Sequence, residues 1–396
     1  MLLAAPRSVH WWDELFWSSD PNLGSVVGTL LPFGGAVSTL ESFRCAARAV
    51  RKELFQFSFH YPLEMVSDAG SNTTLDYYVY SDKLAWEAMR MDRDGIPRAW
   101  CRQTGSVYWP AYIAWYGMVN LGHYLRRKNT LHLQTFLNQI EWLENNAVVR
   151  SDGAVIWPMN FDYFVGDLRL KAPWISAHAQ GLVISALVRA WRVTSRPRLL
   201  ELLRGSTRIF SIPAAENGIR ITQNGNVLYT EVPGGHTPGI LDGFIVSLLG
   251  LYDLLVETGE AEVARLFEEG VAGLRNTLPY WNYRDKWSWY YNRGYLSPPA
   301  YHYQHYLLLK TMARLTGDPL LADYASLWET TRLSRLDRAE IYLAFLYTKS
   351  RSRLIHRTWT QTGRTTRLKL KRARKEQAFH RLRRIFSLTD SQKNVS

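Results

Sequence analysis

At 396 residues and 45.8 kDa the chain is long enough for one large domain or two ordinary ones, and 46% hydrophobic with 21% charged residues excludes a disordered composition. The formal charge of +13 is local: residues 349–396 hold 15 Lys and Arg against 2 Asp and Glu, which leaves 33 of each sign in the rest. A basic nucleic-acid surface over the body is thereby excluded, and two cysteines, Cys45 and Cys101, exclude a disulfide framework and a Cys-rich metal site.

The N-terminal run MLLAAPRSVHWWDELF lacks the basic start and apolar core of a secretory leader, and no segment reads as a membrane span. A cytoplasmic location is therefore expected, and the glycosylation sequons at Asn72 and Asn394 carry little weight. Residues 1–40, rich in aromatics, Gly and Pro, read as an irregular wrapping segment. Residues 43–60 read as a strand or a short helix. Residues 76–100 read as strand, turn and strand about Asp94-Gly95.

From Tyr108 the pattern turns helical and repeats. Four segments starting at Trp109, Trp174, Gly239 and Pro299 are apolar nearly all round, as buried helices are. Each is followed by a short polar turn and a more amphipathic helix, near 130–146, 198–211, 260–277 and 318–333. Gly117, Gly181 and Gly243 recur at matching points. The spacing predicts a mainly α fold, an incomplete α/α toroid with a smaller β-containing N-terminal part, with a plain helical bundle as the alternative. The domains expected are 1–100, irregular and β-containing; 101–348, the toroid; and 349–396, a basic tail.

Long linkers at 100–110, 153–174, 218–238 and 281–299 lead into the inner helices and would gather at one mouth, where loops on a rigid scaffold carry chemistry. The 16 Trp, 22 Tyr and 15 Phe suit a sugar-binding or apolar cleft there. GIRITQNGNVLYTEV alternates around Asn224-Gly225 and predicts a hairpin projecting at that mouth. Phosphate-binding loops, HExxH and nucleophile elbows are absent from the sequence. His302 and His305 share a helix face, but no third acidic or Cys ligand lies nearby in sequence. They read as core or supporting histidines, and no metal or organic cofactor is expected.

WISAHAQGLVISALVRAWRVT, EVPGGHTPGILDGFIVSLLGLYDLL, WSWYYNR and YHYQHYLLL, in that order, resemble the C-terminal region of the D-glucuronyl C5-epimerase family. DGIP at Asp94 and YWPAYIAWYGM at Tyr108 extend the likeness over roughly residues 76–330. The resemblance implies four catalytic residues: Glu231 at the second Glu of the family's EEYP, Tyr290 and Arg293 at its Y-D-L-R, and Tyr301 at its YH-x-x-HI. Substrate contacts are expected from Tyr108, Trp174, Gln180, Asp242, Trp287 and His302. The chain departs from the family at Val232, where the family has Tyr, at Asp242, where it has Asn, and at His178, where it has Met.

These residue types suit the implied reaction. Inverting C5 of a uronic acid removes a proton α to a carboxylate and returns one to the other face. Arg293 and a phenol can stabilise the enolate-like carboxylate, while two proton carriers work from opposite sides. A nearby Arg is expected to lower the phenol pKa, and burial to raise that of Glu231. The expected function is conversion of D-glucuronate to L-iduronate in a polysaccharide or lipid-linked glycan. A uronate polysaccharide lyase and a non-catalytic glycan-binding protein are the alternatives.

The expected partners are an acidic polysaccharide substrate and, through the basic tail, an anionic membrane surface. A homodimer is compatible with the sequence, and no nucleic acid is expected. A solvated tail that binds nothing fits its composition equally well.

Overall fold

Four times the chain reverses direction between helices in the same way. The computed structural model describes residues 57–59, 64–65, 79–80, 90–101, 104–165, 168–234, 239–290 and 295–355. Up to residue 352, the elements that follow belong to the larger of two compact units. The helices are α1 Pro110–Arg127, α2 Thr130–Asn145, α3 Ala177–Thr194, α4 Pro197–Ser206, α5 Leu241–Thr258, α6 Ala261–Trp281, α7 Pro299–Thr316, α8 Pro319–Leu327 and α9 Arg335–Ile355. The fold is mainly helical, with several small antiparallel sheets.

At the end of α1, α3, α5 and α7 a left-handed residue stops the helix: Lys128, Ser195, Gly259 and Gly317. Each returns its N–H to the carbonyl four residues back, which closes the last turn. The partner helix starts two residues later. Asn129 and Asp318 cap α2 and α8 with their side chains, and Pro197 and Pro319 occupy first-turn positions where no N–H is needed. Turns this short fold the second helix back on the first, so α1/α2, α3/α4, α5/α6 and α7/α8 pack as hairpins.

The first member of each pair is the buried one. Every residue from Ala177 to Ala190 of α3 and from Leu241 to Leu254 of α5 is buried. In α6 burial follows one stripe through Val263, Leu266, Gly270, Leu274 and Trp281. Helices α3 and α5 touch backbone to backbone: a β-carbon on Gly250 would stand 2.6 Å from the Gly181 α-carbon. Further along, Arg189 pairs with Asp253 at 2.5 Å in full burial, and Arg192 with Glu257. These contacts rise together in residue number, so the two helices run in the same direction.

The expected hairpin forms, with Arg220 opposite Tyr229 and Gln223 opposite Asn226. Its loop residues Asn224 and Gly225 both have positive φ, as a two-residue reversal between twisted strands requires. It does not project, however. It lies along α6, where Gly270 and Gly273 leave room for Tyr229 and the Val227 backbone, and Arg220 bonds Glu269 at 2.8 Å. The strand–turn–strand about Asp94-Gly95 also forms, as Arg90–Met91 paired with Pro97–Cys101.

Other expectations shift. The outer segments 198–211 and 318–333 each break, into α4 plus a 3₁₀ turn at Arg208–Ser211 and α8 plus one at Thr330–Arg332. Helix α9 follows the four pairs, and the expected domain boundary at 348 falls inside it. Ile341 and Phe345 of α9 form a second small core with Trp287, Leu296 and Leu333. Residues 1–56 and 66–78 and the tail beyond 355, and so Cys45, Asn72 and Asn394, lie outside the described residues. Most of the expected 43–60 element does too. No helix among the described residues is long and apolar enough to cross a membrane.

Candidate active site

Glu231 leaves the hairpin between two pinned residues. The Thr230 N–H donates to the Ile219 carbonyl at 2.8 Å, and the Thr230 carbonyl accepts the Ala177 N–H at the start of α3, at 3.0 Å. The Thr230 hydroxyl accepts the Val232 N–H at 3.2 Å and donates to the Val232 carbonyl at 2.8 Å. With the backbone fixed on both sides, the Glu231 side chain turns onto the first turn of α5. Its carboxyl rests where a β-carbon of Gly243 would be. Gly243 is therefore the residue that admits it.

The carboxyl is buried, and water is lost to it. Burial first, and then the charge of neighbouring Asp242, hold the Glu231 pKa well above the ordinary carboxylate range. His178, on the first turn of α3, brings Nδ1 to 3.9 Å from Glu231 Oε1. Burial lowers its pKa to about 4 against the opposing pull of Asp242, so it is neutral near pH 7 and supplies no countercharge.

From α7 and the segment before it come the phenols. The rings of Tyr290 and Tyr301 lie 4.6 Å apart. Burial is the first cause that raises both pKa values, with Asp242 and Glu231 adding to it. The lowered phenol pKa expected from the sequence is thus reversed. Arg293, the group expected to cause it, lies outside the described residues. Tyr295 stacks on Tyr290 at 5.3 Å, and Lys349 of α9 stands 3.8 Å above the Tyr295 ring.

The first turns of α3, α5 and α7 thus bring Glu231, Asp242, Tyr290 and Tyr301 together. The other expected residues sit elsewhere. Tyr108 donates to Asp92 at 2.6 Å and carries the Arg98 guanidinium 4.5 Å above its ring. Trp174 donates to the Phe161 carbonyl and stacks on Tyr163, whose phenol senses Glu231, so it stands one ring behind the cluster. Gln180 gives its amide N–H groups to the carbonyls of Val155 and Ser206. Trp287 is fully buried and donates to the Ser297 carbonyl. His302 stacks on Trp287 at 3.6 Å, with Nε2 at 3.0 Å from the Trp328 carbonyl.

Sequence reasoning overlooked Tyr163, Tyr295 and Lys349. It read His305 only as a core or supporting histidine, although the H-x-x-H spacing does place His305 on the face of α7 that looks toward Asp242, 3.6 Å away.

Residues 151–330, which include Glu231, Asp242, Tyr290 and Tyr301, match the family model described as D-glucuronyl C5-epimerase C-terminus. Over this segment, a little under half of its length, the chain is similar to the D-glucuronyl C5-epimerase family. The D-glucuronyl C5-epimerase of Caenorhabditis elegans is 28% identical over 234 residues, which is 54% of this chain and 37% of that protein. An uncharacterized protein of Methanocaldococcus jannaschii is 27% identical over 178 residues, 44% of this chain and 57% of that one. The matched regions thus span a little over a third and a little over half of these two relatives. Within the family segment Val232 replaces the Tyr of EEYP. It is 5% exposed, held through its backbone by Thr230.

Proposed function

We propose that this chain is an isomerase acting at C5 of hexuronic acid residues, converting D-glucuronate to L-iduronate within a polysaccharide or lipid-linked glycan. The observation that carries the reading is the convergence of Glu231, Tyr290 and Tyr301 on one buried site within the family segment. The helix pairs suit an incomplete α/α toroid whose inner helices open onto that site.

Glu231 and Tyr301 are the two proton carriers. Glu231, when ionised, takes the C5 proton, and the bonding pair moves into the substrate carboxylate. Tyr301 holds its proton at neutral pH because burial disfavours the phenolate. It gives that proton to the opposite face of C5, and Tyr290, whose ring lies 4.6 Å from that of Tyr301, stabilises the phenolate left behind. Tyr290 and Arg293 also hold the substrate carboxylate as charge builds on it, and a Lys at 293 would offer a point charge where a fork is needed.

The reading is tested by incubating the chain with heparosan and other glucuronate polymers in deuterium oxide. Deuterium at C5 with unchanged polymer length supports it. Chain shortening with unsaturated ends would instead mark a lyase, and binding without exchange a glycan-binding protein.

A further inference from the structure

Behind Glu231 runs a line of buried polar groups to which the proposed reaction gives no role. Asp242 is 4% exposed, and its Oδ1 has no hydrogen-bond partner among the described residues. It faces His305 Nε2 at 3.6 Å, an atom in the same condition on a side chain with no exposure at all. The other ring nitrogen of His305 is engaged, with Nδ1 at 2.8 Å from Ser288 Oγ and 3.5 Å from Ser297 Oγ.

His302 gives this line its direction. Its Nε2 faces a carbonyl, that of Trp328, and must carry the ring proton. Its Nδ1 is then an acceptor and takes the Ser288 N–H at 3.1 Å. With that nitrogen supplied by an amide, the Ser288 hydroxyl, 3.2 Å from Ser297 Oγ and 3.0 Å from His302 Nδ1, makes its shortest contact to His305 Nδ1 at 2.8 Å. A hydroxyl donated there leaves the His305 proton on Nε2, aimed at Asp242. Ser288 itself is fully buried, so this Ser–His–Asp line has no nucleophile that substrate can reach. Its working end is Asp242.

Asp242 precedes Gly243, against which the Glu231 carboxyl rests; both side chains are buried, and the charge of Asp242 acts on Glu231. Two buried carboxyls that feel one another do not both ionise readily. We propose that Asp242 and His305 set the protonation of Glu231: the His305 N–H draws negative charge onto Asp242, and the proton that the two carboxyls share then sits on Glu231. Asp242 is in this sense a positioning residue for the proton carrier, and the inference rests on the function proposed above.

Among the described residues, the other groups facing the carboxyl pair are His178 from α3, which is neutral, Tyr163, Tyr301 from α7, and Tyr290 from the segment before α7, and none of these brings a positive charge.

The test is the pH dependence of C5 deuterium exchange on a glucuronate polymer, read as kcat/KM, for wild type and Asp242→Asn. Asp242→Asn removes the like charge, so Glu231 ionises more easily and the acid limb moves down by about one pH unit or more. His305→Gln is expected to move the limb in wild type but not in the Asp242→Asn background, because it acts through Asp242. An acid limb unmoved in folded Asp242→Asn overturns the proposal. So does folded Asp242→Asn with no exchange at any pH, since Asp242 would then be a proton carrier itself. Should Asp242→Asn fail to fold, an unmoved limb in both His305→Gln and Ser288→Ala overturns it instead. A wild type without exchange at any pH removes the function reading on which the proposal rests.

Discussion

The Glu231 carboxyl lies against the α-carbon of Gly243, in the space a β-carbon would fill. Gly243 sits inside the first turn of α5, where glycine is a poor helix former by about 1 kcal/mol relative to alanine. Gly243→Ala gains that propensity but is expected to lower the melting temperature on balance, because its β-carbon would stand 2.8 Å from the Glu231 β-carbon on a fixed backbone, and it pushes the Glu231 carboxyl off its seat. A displacement of about 1 Å at a reacting group costs on the order of a hundredfold in rate. The check is a melting curve beside a C5 exchange rate. Unchanged exchange in a folded Gly243→Ala protein would separate Glu231 from the reaction.

Tyr301→Phe and Tyr290→Phe each remove one oxygen from a ring pair, of which Tyr301 is buried and Tyr290 partly buried, and leave the ring packing. Tyr301→Phe is expected to lower kcat by about 100-fold to 10,000-fold, the range for loss of a positioned acid or base. Tyr290→Phe is expected to lower it as well, because the substrate carboxylate loses a phenol donor. Circular dichroism and exchange rates measured on the same samples distinguish this from misfolding. Wild-type rates in Tyr301→Phe would remove it from the mechanism.

His178 gives a stability test. Its folded pKa, about 4, lies below the unfolded value of about 6.5. Below pH 6.5 the unfolded chain therefore binds the extra proton, and stability falls as pH drops from about 6.5 to about 4. The full difference is on the order of 3 kcal/mol. Replacing His178 by Met, the residue of the family pattern, is expected to flatten that part of the stability–pH curve. Denaturant titrations at several pH values would show it, and parallel curves for the two proteins would contradict it.

The C-terminal end of α9 sets where the chain can be cut. The Thr348 hydroxyl accepts the Leu296 N–H at 3.1 Å, and Lys349 covers Tyr295, which stacks on Tyr290. A chain ending after Ile355 is expected to keep exchange activity on short soluble substrates and to lose low-salt binding to anionic liposomes shown by the full chain. One ending after Thr348 is expected to lose activity too, since it lacks the cation over Tyr295. Equal activity of the two shortened chains would deny Lys349 a part in the site.

Much of this was legible because burial writes itself into sequence. Fourteen consecutive buried residues in α3 leave no polar face, and the same pattern in α5 made the inner helices readable. Asn224-Gly225 announced its hairpin because two positive φ values favour those residues. Helix α9 was hidden, since Leu336 and Leu343 lie exposed beside buried Ile341 and Phe345 and blur the period. The site was legible only in part. Family motifs named Glu231, Tyr290 and Tyr301, but nothing local says that Gln180 spends its amide on two carbonyls, or that Trp287 and His302 stack in a separate core. Those roles depend on contacts between residues far apart in sequence, such as Gln180 with Ser206. The direction of the phenol shifts was hidden too, because it follows from burial that only the folded chain defines.

The most direct test of the central claim is nuclear magnetic resonance of a glucuronate polymer after incubation with the full chain in deuterium oxide. The account predicts new L-iduronate signals, deuterium at C5 of both epimers, and no unsaturated ends. A polymer that binds the chain yet keeps all its C5 protons and its D-glucuronate spectrum across the panel would contradict it.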